Sequence, residues 1–357
     1  MTAIIAAALG AGLLAQQPDA AKTDPVGKGL RWLAQNQKAD GTWDSPNGFA
    51  PTNVTATAGL ALLMEGSTPR HGRYAPHIRR TLGWVEASAG ADGQLAGSDP
   101  AERGQYIPAH AHALLFLACA YDTDDDDRRK RLAKLIERGV SFLAERQTAR
   151  GGWGYAAPRE ASNYDDTPST TTALQALLAA RKAGFDVPPA AVDRGFGYLT
   201  KATDARGGVV TSLFNNPPAG VPGVPSYSAG AAACAMMRGA PRTGVVGQWV
   251  ASGSGPTATQ QTQYLRGNPA YALIALWPVA RMSYGLGDGG HRKLDPDLRD
   301  DRLFRWSAYR PKLFKAILDI QTKDGNWADP SYGPAYPTAL ALLILQLDND
   351  YLPAFAR

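Results

Sequence analysis

From Phe142 to Ala180 the chain reads FLAERQTARGGWGYAAPREASNYDDTPSTTTALQALLAA. The stretch holds a helix ending near Gln147, a turn closed by Gly151, Gly152 and Trp153, and a second helix that opens on Asp165 and Asp166. Thr167, Pro168 and Ser169 follow the acidic pair. Such residues start helices, because hydroxyl and carboxylate oxygens accept from free first-turn N–H groups and proline leaves no N–H unpaired. Neither helix can bury its apolar face alone, so the stretch predicts neighbours of the same kind.

Those neighbours are visible. Phe142, Leu143, Gln147, Gly151 and Trp153 define a frame that Trp32, Leu33, Gln37, Gly41 and Trp43 match at the same spacing. Ile317, Gln321, Gly325 and Trp327 match it again near the C-terminal end. Two degenerate copies lie between, at Trp84, Val85, Ala89, Gly93 and Leu95, and at Tyr198, Leu199, Thr203, Gly207 and Val209; Trp249 and Val250 start a fifth copy along the chain that then loses the frame. In each copy the first pair belongs on the apolar stripe of an outer helix. The Gln falls where its amide can serve backbone groups near the helix end, the Gly supplies a left-handed terminating residue, and the Trp packs back over the turn with its indole N–H available. These residues read as structural, with no chemistry assigned.

After each copy comes a second apolar helix, expected over Thr52–Met64, Pro108–Tyr121, Thr167–Ala183, Ser226–Met237, Asn268–Val279 and Tyr336–Leu347. A helix that is apolar almost all round belongs inside. Six outer and six inner helices in alternation predict an all-α (α/α)6 toroid, with an open solenoid as the alternative; a last copy as regular as the internal ones, with no polar cap, favours closure. The charged stretch from Tyr284 to Arg302 is expected to be a surface excursion.

With 357 residues and an apolar fraction of 44%, the chain has the means for a sizeable core. A net charge of +5, with basic and acidic residues mixed, argues against nucleic-acid binding. Cys119 and Cys234 sit in apolar runs outside any CxxC or CxH pattern, so they read as buried thiols rather than metal ligands. Residues 4–15, IIAAALGAGLLA, have the length of a secretory h-region and are too short to span a bilayer. We therefore expect residues 1–21 to be a signal peptide, residues 22–357 to form a single toroidal domain, and the mature chain to be extracytoplasmic, periplasmic or secreted, with no transmembrane segment.

The repeated Gln-to-Trp frame resembles that of squalene–hopene cyclases and the wider terpenoid cyclase and protein-prenyltransferase superfamily. HAHALLFLACAY, RQTARGGWGY, YGPAYPTALALLILQ and NDYLPAFAR are similar to segments of bacterial squalene-cyclase-like repeat proteins. The resemblance implies the toroid and a pocket at one mouth of its ring. In the cyclases the middle Asp of an Asp–x–Asp–Asp–Thr motif protonates an alkene or epoxide. The matching residues are Asn163, Tyr164, Asp165, Asp166 and Thr167, so the resemblance implies Asp165 as the general acid, with the motif's first Asp replaced by Asn163. The alternative for the acidic pair is a helix N-cap. The prenyltransferases bind zinc through an Asp–x–Cys motif, which is missing from this sequence, so no metal or other cofactor is expected.

In a closed ring the inner helices start at one mouth. His110, His112, Asp165, Asp166, Tyr227, Tyr271 and Tyr336 all lie at such starts, a polar and aromatic set above an apolar interior, as in many ligand pockets. We take Asp165, Asp166 and His110 as candidate catalytic residues and His112, Tyr227, Tyr271 and Tyr336 as candidate pocket residues. His110, Asp165, Asp166 and Tyr336 are expected to cluster. His110 and His112 are two apart and point away from each other on a helix, which disfavours a metal pair. Phe116, Tyr121 and Trp277 read as core. Two functions follow: acid-initiated cyclisation of an isoprenoid, or an exported, non-catalytic module that binds a lipid-like ligand or a protein. A carbohydrate-active toroid ranks behind both, because it needs two carboxylates across the mouth.

Overall fold

In the computed structural model the described residues are 24–46, 51–96, 99–121, 126–214, 221–239, 244–254, 261–293 and 304–356. The expected signal peptide, residues 1–21, lies outside them.

Trp153, the last residue of the central frame, shows how one turn is built. Its indole Nε1–H donates to Leu143 O at 2.7 Å, and its side chain is fully buried. Trp43 donates to Leu33 O at 2.8 Å and Trp327 to Ile317 O at 2.7 Å, each ten residues back. Gln147 Nε2 donates to Gly151 O at 2.7 Å and to Ala191 O at 2.9 Å, at the start of the next outer helix. Gln37 does the same with Gly41 O and His77 O. The frame glutamine thus staples its own turn to the following repeat. Gly151 holds φ at 96°, and a Cβ there would stand 2.5 Å from Arg194 O, so this close approach needs glycine.

Twelve α-helices alternate between two layers among the described residues. The outer ones are α1 (Pro25–Gln35), α3 (Ala75–Ser88), α5 (Asp126–Glu145), α7 (Pro189–Lys201), α9 (Val245–Gly253) and α11 (Trp306–Leu318). The inner ones are α2 (Pro51–Met64), α4 (Tyr106–Ala120), α6 (Thr167–Lys182), α8 (Pro225–Arg238), α10 (Pro269–Leu286) and α12 (Ala335–Leu345). Each inner helix packs against the next, from α2 through α4, α6, α8 and α10 to α12, and α12 packs back on α2. The ring is closed, which makes the fold an α/α toroid. Gln321 Nε2 donates to Pro25 O at 2.8 Å, so the last frame glutamine grips the first outer helix. Gln346 Nε2 reaches Ala61 O at 3.1 Å across the same seam. Buried apolar side chains form one connected cluster.

The layers differ as amphipathic logic requires. All but the first residue of α2 is buried, whereas α5 buries six of twenty. One boundary departs from expectation: α10 runs past Val279 to Leu286, through Pro278. The apolar residues Met282, Tyr284 and Leu286 are buried against the ring, and that packing outweighs the proline. The charged excursion therefore starts later than Tyr284. Among the described residues no helix is long and apolar enough to cross a membrane, and the only β-pairing is two isolated bridges.

Candidate functional site: an axial bore

Residues from the inner helices enclose a cavity of about 230 Å³. Tyr227, Tyr271 and Tyr336, from the first turns of α8, α10 and α12, line it together with His112 of α4. Deeper along the helices the wall is Leu60, Leu115, Ile274, Leu340 and Leu343. Trp277 and Phe355, ring centroids 5.4 Å apart and edge to face, line it as well. Among the described lining residues none is acidic.

All four candidate pocket residues are thus gathered around one cavity. His112 Nδ1 lies 2.8 Å from Pro108 O; a carbonyl only accepts, so Nδ1 carries the proton and Nε2 is left as an acceptor. Burial lowers the His112 pKa and favours this neutral form. Burial raises the hydroxyl pKa of Tyr227 and Tyr336, which keeps both as neutral donors. Tyr271 is 64% exposed although it sits on an inner helix, which marks the bore as open at this end.

The three candidate catalytic residues do not line the cavity. Asp165 is fully buried behind the start of α6. Its Oδ2 accepts from Thr148 Oγ1 at 2.8 Å and Arg150 Nε at 2.8 Å, an ion pair into the turn of its own repeat. The carboxylate's Oδ1 has no hydrogen-bond partner among the described residues, and the Tyr198 side chain stands near it. Asp166 is the N-cap of α6: its Oδ1 accepts from Ser169 N at 2.7 Å, and Tyr164 OH donates to its Oδ2 at 3.2 Å. Burial raises the Asp166 pKa against the opposing pull of the Ser169 hydrogen bonds. The same capping recurs around the mouth. Glu102 accepts from Thr52 N at 2.5 Å at the start of α2, and Asp329 accepts from Ala270 N at 3.0 Å at the start of α10. Carboxylates here answer the free N–H groups and positive ends of inner helices.

His110 points away from the bore. Its Nδ1 accepts from Leu95 N at 3.0 Å and its Nε2 donates to Gly139 O at 3.0 Å, while the ring stacks on Phe142 with centroids 4.6 Å apart. Burial lowers its pKa to about 4. The expected cluster of His110, Asp165, Asp166 and Tyr336 is therefore not assembled; Asp165 and Asp166 adjoin, but His110 ties a repeat turn to α5. The reason is helical phase: of two histidines two residues apart, only His112 faces the axis. Phe116 is core, as read from the sequence, whereas Trp277 lines the bore.

Two residues escaped the sequence reading. Arg150, which holds Asp165, lies in the turn and carries no distinguishing pattern. Arg281 is buried within the apolar run ALWPVARMSYGL, and a lone charge in such a run was the available signal. Among the described residues no group of three or more His, Cys, Asp or Glu side chains is placed to hold a metal ion.

No protein-family model matches the chain. An 85-residue stretch is 32% identical to α2-macroglobulin of Thermotoga maritima, over 24% of this chain and 5% of that protein's length. Among solved structures, the type II terpene cyclase MstE from Scytonema is similar at a TM-score of 0.58 and 12% identity, over 92% of this chain and 98% of that one. The α-1,6-mannanase GH76A of Salegentibacter sp. HEL1_6 is similar at a TM-score of 0.57 and 11% identity, over 90% and 97%; that structure is an inactive variant, with two consecutive aspartates replaced by asparagine, in complex with α-1,6-mannotriose. At such identities the likeness carries the architecture alone, and one architecture serves a cyclase and a glycoside hydrolase. This chain shares the α/α-toroid fold with both.

Proposed function

We propose that this chain is a ligand-binding α/α toroid whose axial bore takes a slender lipid-like molecule, an isoprenoid or other aliphatic chain, with the mature protein working outside the cytoplasm. The observation that carries this reading is the bore: a leucine- and aromatic-walled cavity whose polar lining is three tyrosines, a neutral histidine, Ser226, Gln175 and the threonines Thr57, Thr171 and Thr172, whose hydroxyls donate to carbonyls of their own helices. An aliphatic ligand would leave water for the wall, while a hydroxyl or ether oxygen on it would meet His112 Nε2 or a tyrosine hydroxyl. The volume of about 230 Å³ is below the ~300–1,000 Å³ usual for ligand pockets, which suits a single thin chain.

Acid-initiated cyclisation by Asp165 is the competing proposal. It requires a proton delivered into the bore, and Asp165 neither lines the bore nor has Oδ2 available. Glycoside hydrolysis requires two carboxylates that reach a sugar, and Asp165 and Asp166 are both almost wholly buried. These placements favour binding over catalysis.

The test is fluorescence titration, using Trp277 in the wall as reporter, with linear isoprenoid alcohols of increasing length. We expect saturable binding and no cyclised product by mass spectrometry. Gly230→Leu should abolish binding: Gly230 lines the bore, and a Cβ there meets no atom nearer than 3.5 Å, so the new side chain fills the cavity without breaking the helix. Product formation that Asp165→Asn removes would transfer the argument to the cyclase. An absence of saturable binding, or binding unchanged in Gly230→Leu, would end the binding reading.

A further inference from the structure

Arg281 lies on α10, more than a turn before its end at Leu286, and is 6% exposed. Its guanidinium donates to Gln175 Oε1 at 2.6 Å and lies 3.0 Å from Met237 Sδ. The rings of Phe355 and Trp277 stand against it, 4.5 Å and 5.4 Å from its carbon to their centroids. Among the described residues no carboxylate pairs with it. That is unusual, because a buried charge is costly to desolvate and is ordinarily met by an opposite one.

Among the described residues no neighbour provides a full opposite charge. Cys119 and Cys234 are close, but burial pushes both thiols up to about 12, so they stay neutral. Asp193 is taken by Arg238, and Asp350 accepts from Tyr284 at 2.7 Å. The last turn of α8 lies beside Arg281, but a helix C-terminus carries only about half a negative charge and its effect fades within that turn, so it does not balance a full positive one. Helical side chains also lean toward the N-terminus, which carries the Arg281 guanidinium away from the end of α10.

Arg281 instead faces a cavity of about 310 Å³, at the end of the ring opposite the tyrosines. Lys182 and Arg238, the last residues of α6 and α8, line it too, and no acidic residue does among those described. Lys182 is exposed and has no ion pair among the described residues. Phe355 lines both this cavity and the bore.

We propose that this second cavity is an anion site in which Arg281, assisted by Lys182, binds the carboxylate or phosphate group of an external ligand. The planar guanidinium has five N–H donors, and two acceptors leave it donors to offer. Burial lowers its pKa to about 10, so it remains cationic at neutral pH and keeps its demand for an anion. The anion is either free or the head of an amphiphile whose tail passes Phe355 into the bore. Anion binding at this end does not depend on what fills the bore.

The experiment measures thermal stabilisation of the full chain by acetate, inorganic phosphate and palmitate, each against chloride at matched ionic strength. The proteins are wild type, Arg281→Met and Lys182→Ala. At least one anion should stabilise the wild type saturably, Arg281→Met should weaken its binding by about tenfold or more, and Lys182→Ala should weaken it several-fold. Without anion, Arg281→Met should melt at or above the wild-type temperature, because it removes a buried charge that no carboxylate among the described residues pairs with. A marked fall in melting temperature would assign Arg281 a purely structural role and overturn the proposal. Response to phosphate or acetate alone identifies a free anion, and response to palmitate alone identifies an amphiphile's head. No anion-specific shift in the wild type, or equal shifts in Arg281→Met, would overturn the site. A palmitate response kept in Arg281→Met but lost in Gly230→Leu would overturn it while leaving the bore reading intact.

Discussion

Lowering the pH from 7 to 4 should destabilise this protein through His110. The imidazole is fully buried, accepting from Leu95 N on one side and donating to Gly139 O on the other. A proton added at Nδ1 would set two donors against each other in a dry site. Burial is the largest cause of the lowered pKa, with the charge of Arg146 adding to it against the Gly139 hydrogen bond and Asp92. The unfolded chain protonates this group near pH 6.5 and the folded chain near pH 4. Unfolding therefore takes up a proton between those values, and stability is lost as the pH falls through that window. The linkage integral is RT ln[(1 + 10^2.5)/2], about 3 kcal/mol lost at pH 4. Burial also lowers the pKa of His77, His112 and His291 and raises that of Asp166, so wild type alone does not isolate the effect. The assay is urea unfolding at pH 7 and pH 4 of wild type and His110→Gln. The variant starts less stable at pH 7, but its loss on acidification should be smaller than wild type's by about 3 kcal/mol. Losses that agree within about 0.5 kcal/mol would refute the buried, neutral His110.

Truncating Trp153 to Ala should cost about 3–5 kcal/mol in denaturant unfolding, since it removes a fully buried indole and leaves Leu143 O without its donor; a loss below about 1 kcal/mol would show the turn packing to be misread. Asp165→Asn should lower stability by about 2 kcal/mol, because it unpairs Arg150, itself 30% exposed. The same variant should leave isoprenoid titration curves unchanged, and a shift of tenfold or more in Kd would put Asp165 in contact with the ligand.

The toroid was legible in the chain because its signal is local and repeated. The spacing from Gln147 to Gly151 and Trp153 demands a left-handed glycine and a back-folded indole, and both follow from chemistry within ten residues. Inner helices were equally plain, because a helix apolar on every side has nowhere to be but inside. Tyr227, Tyr271 and Tyr336 could be placed at a mouth from their positions in their helices alone. The partners of the acids could not. Asp165 meets Arg150 and Thr148 only after the repeat turn folds back on the start of α6, and its sequence reads the same whether the carboxylate serves as an acid or as a bracket. His110 and His112 were separable in direction, but which one faced the axis depended on the rotation of α4 between α2 and α6. Arg281 shows the same division. Its oddity was written in the apolar run around it, while the absence of a carboxylate partner among the described residues, and the cavity it faces, arise from helices α6, α8 and α10 and the returning C-terminal segment. Short-range hydrogen bonding and periodicity belong to the chain; pairing, exposure and the charge balance of a site are sums over segments far apart in sequence, and only the closed ring brings those segments together.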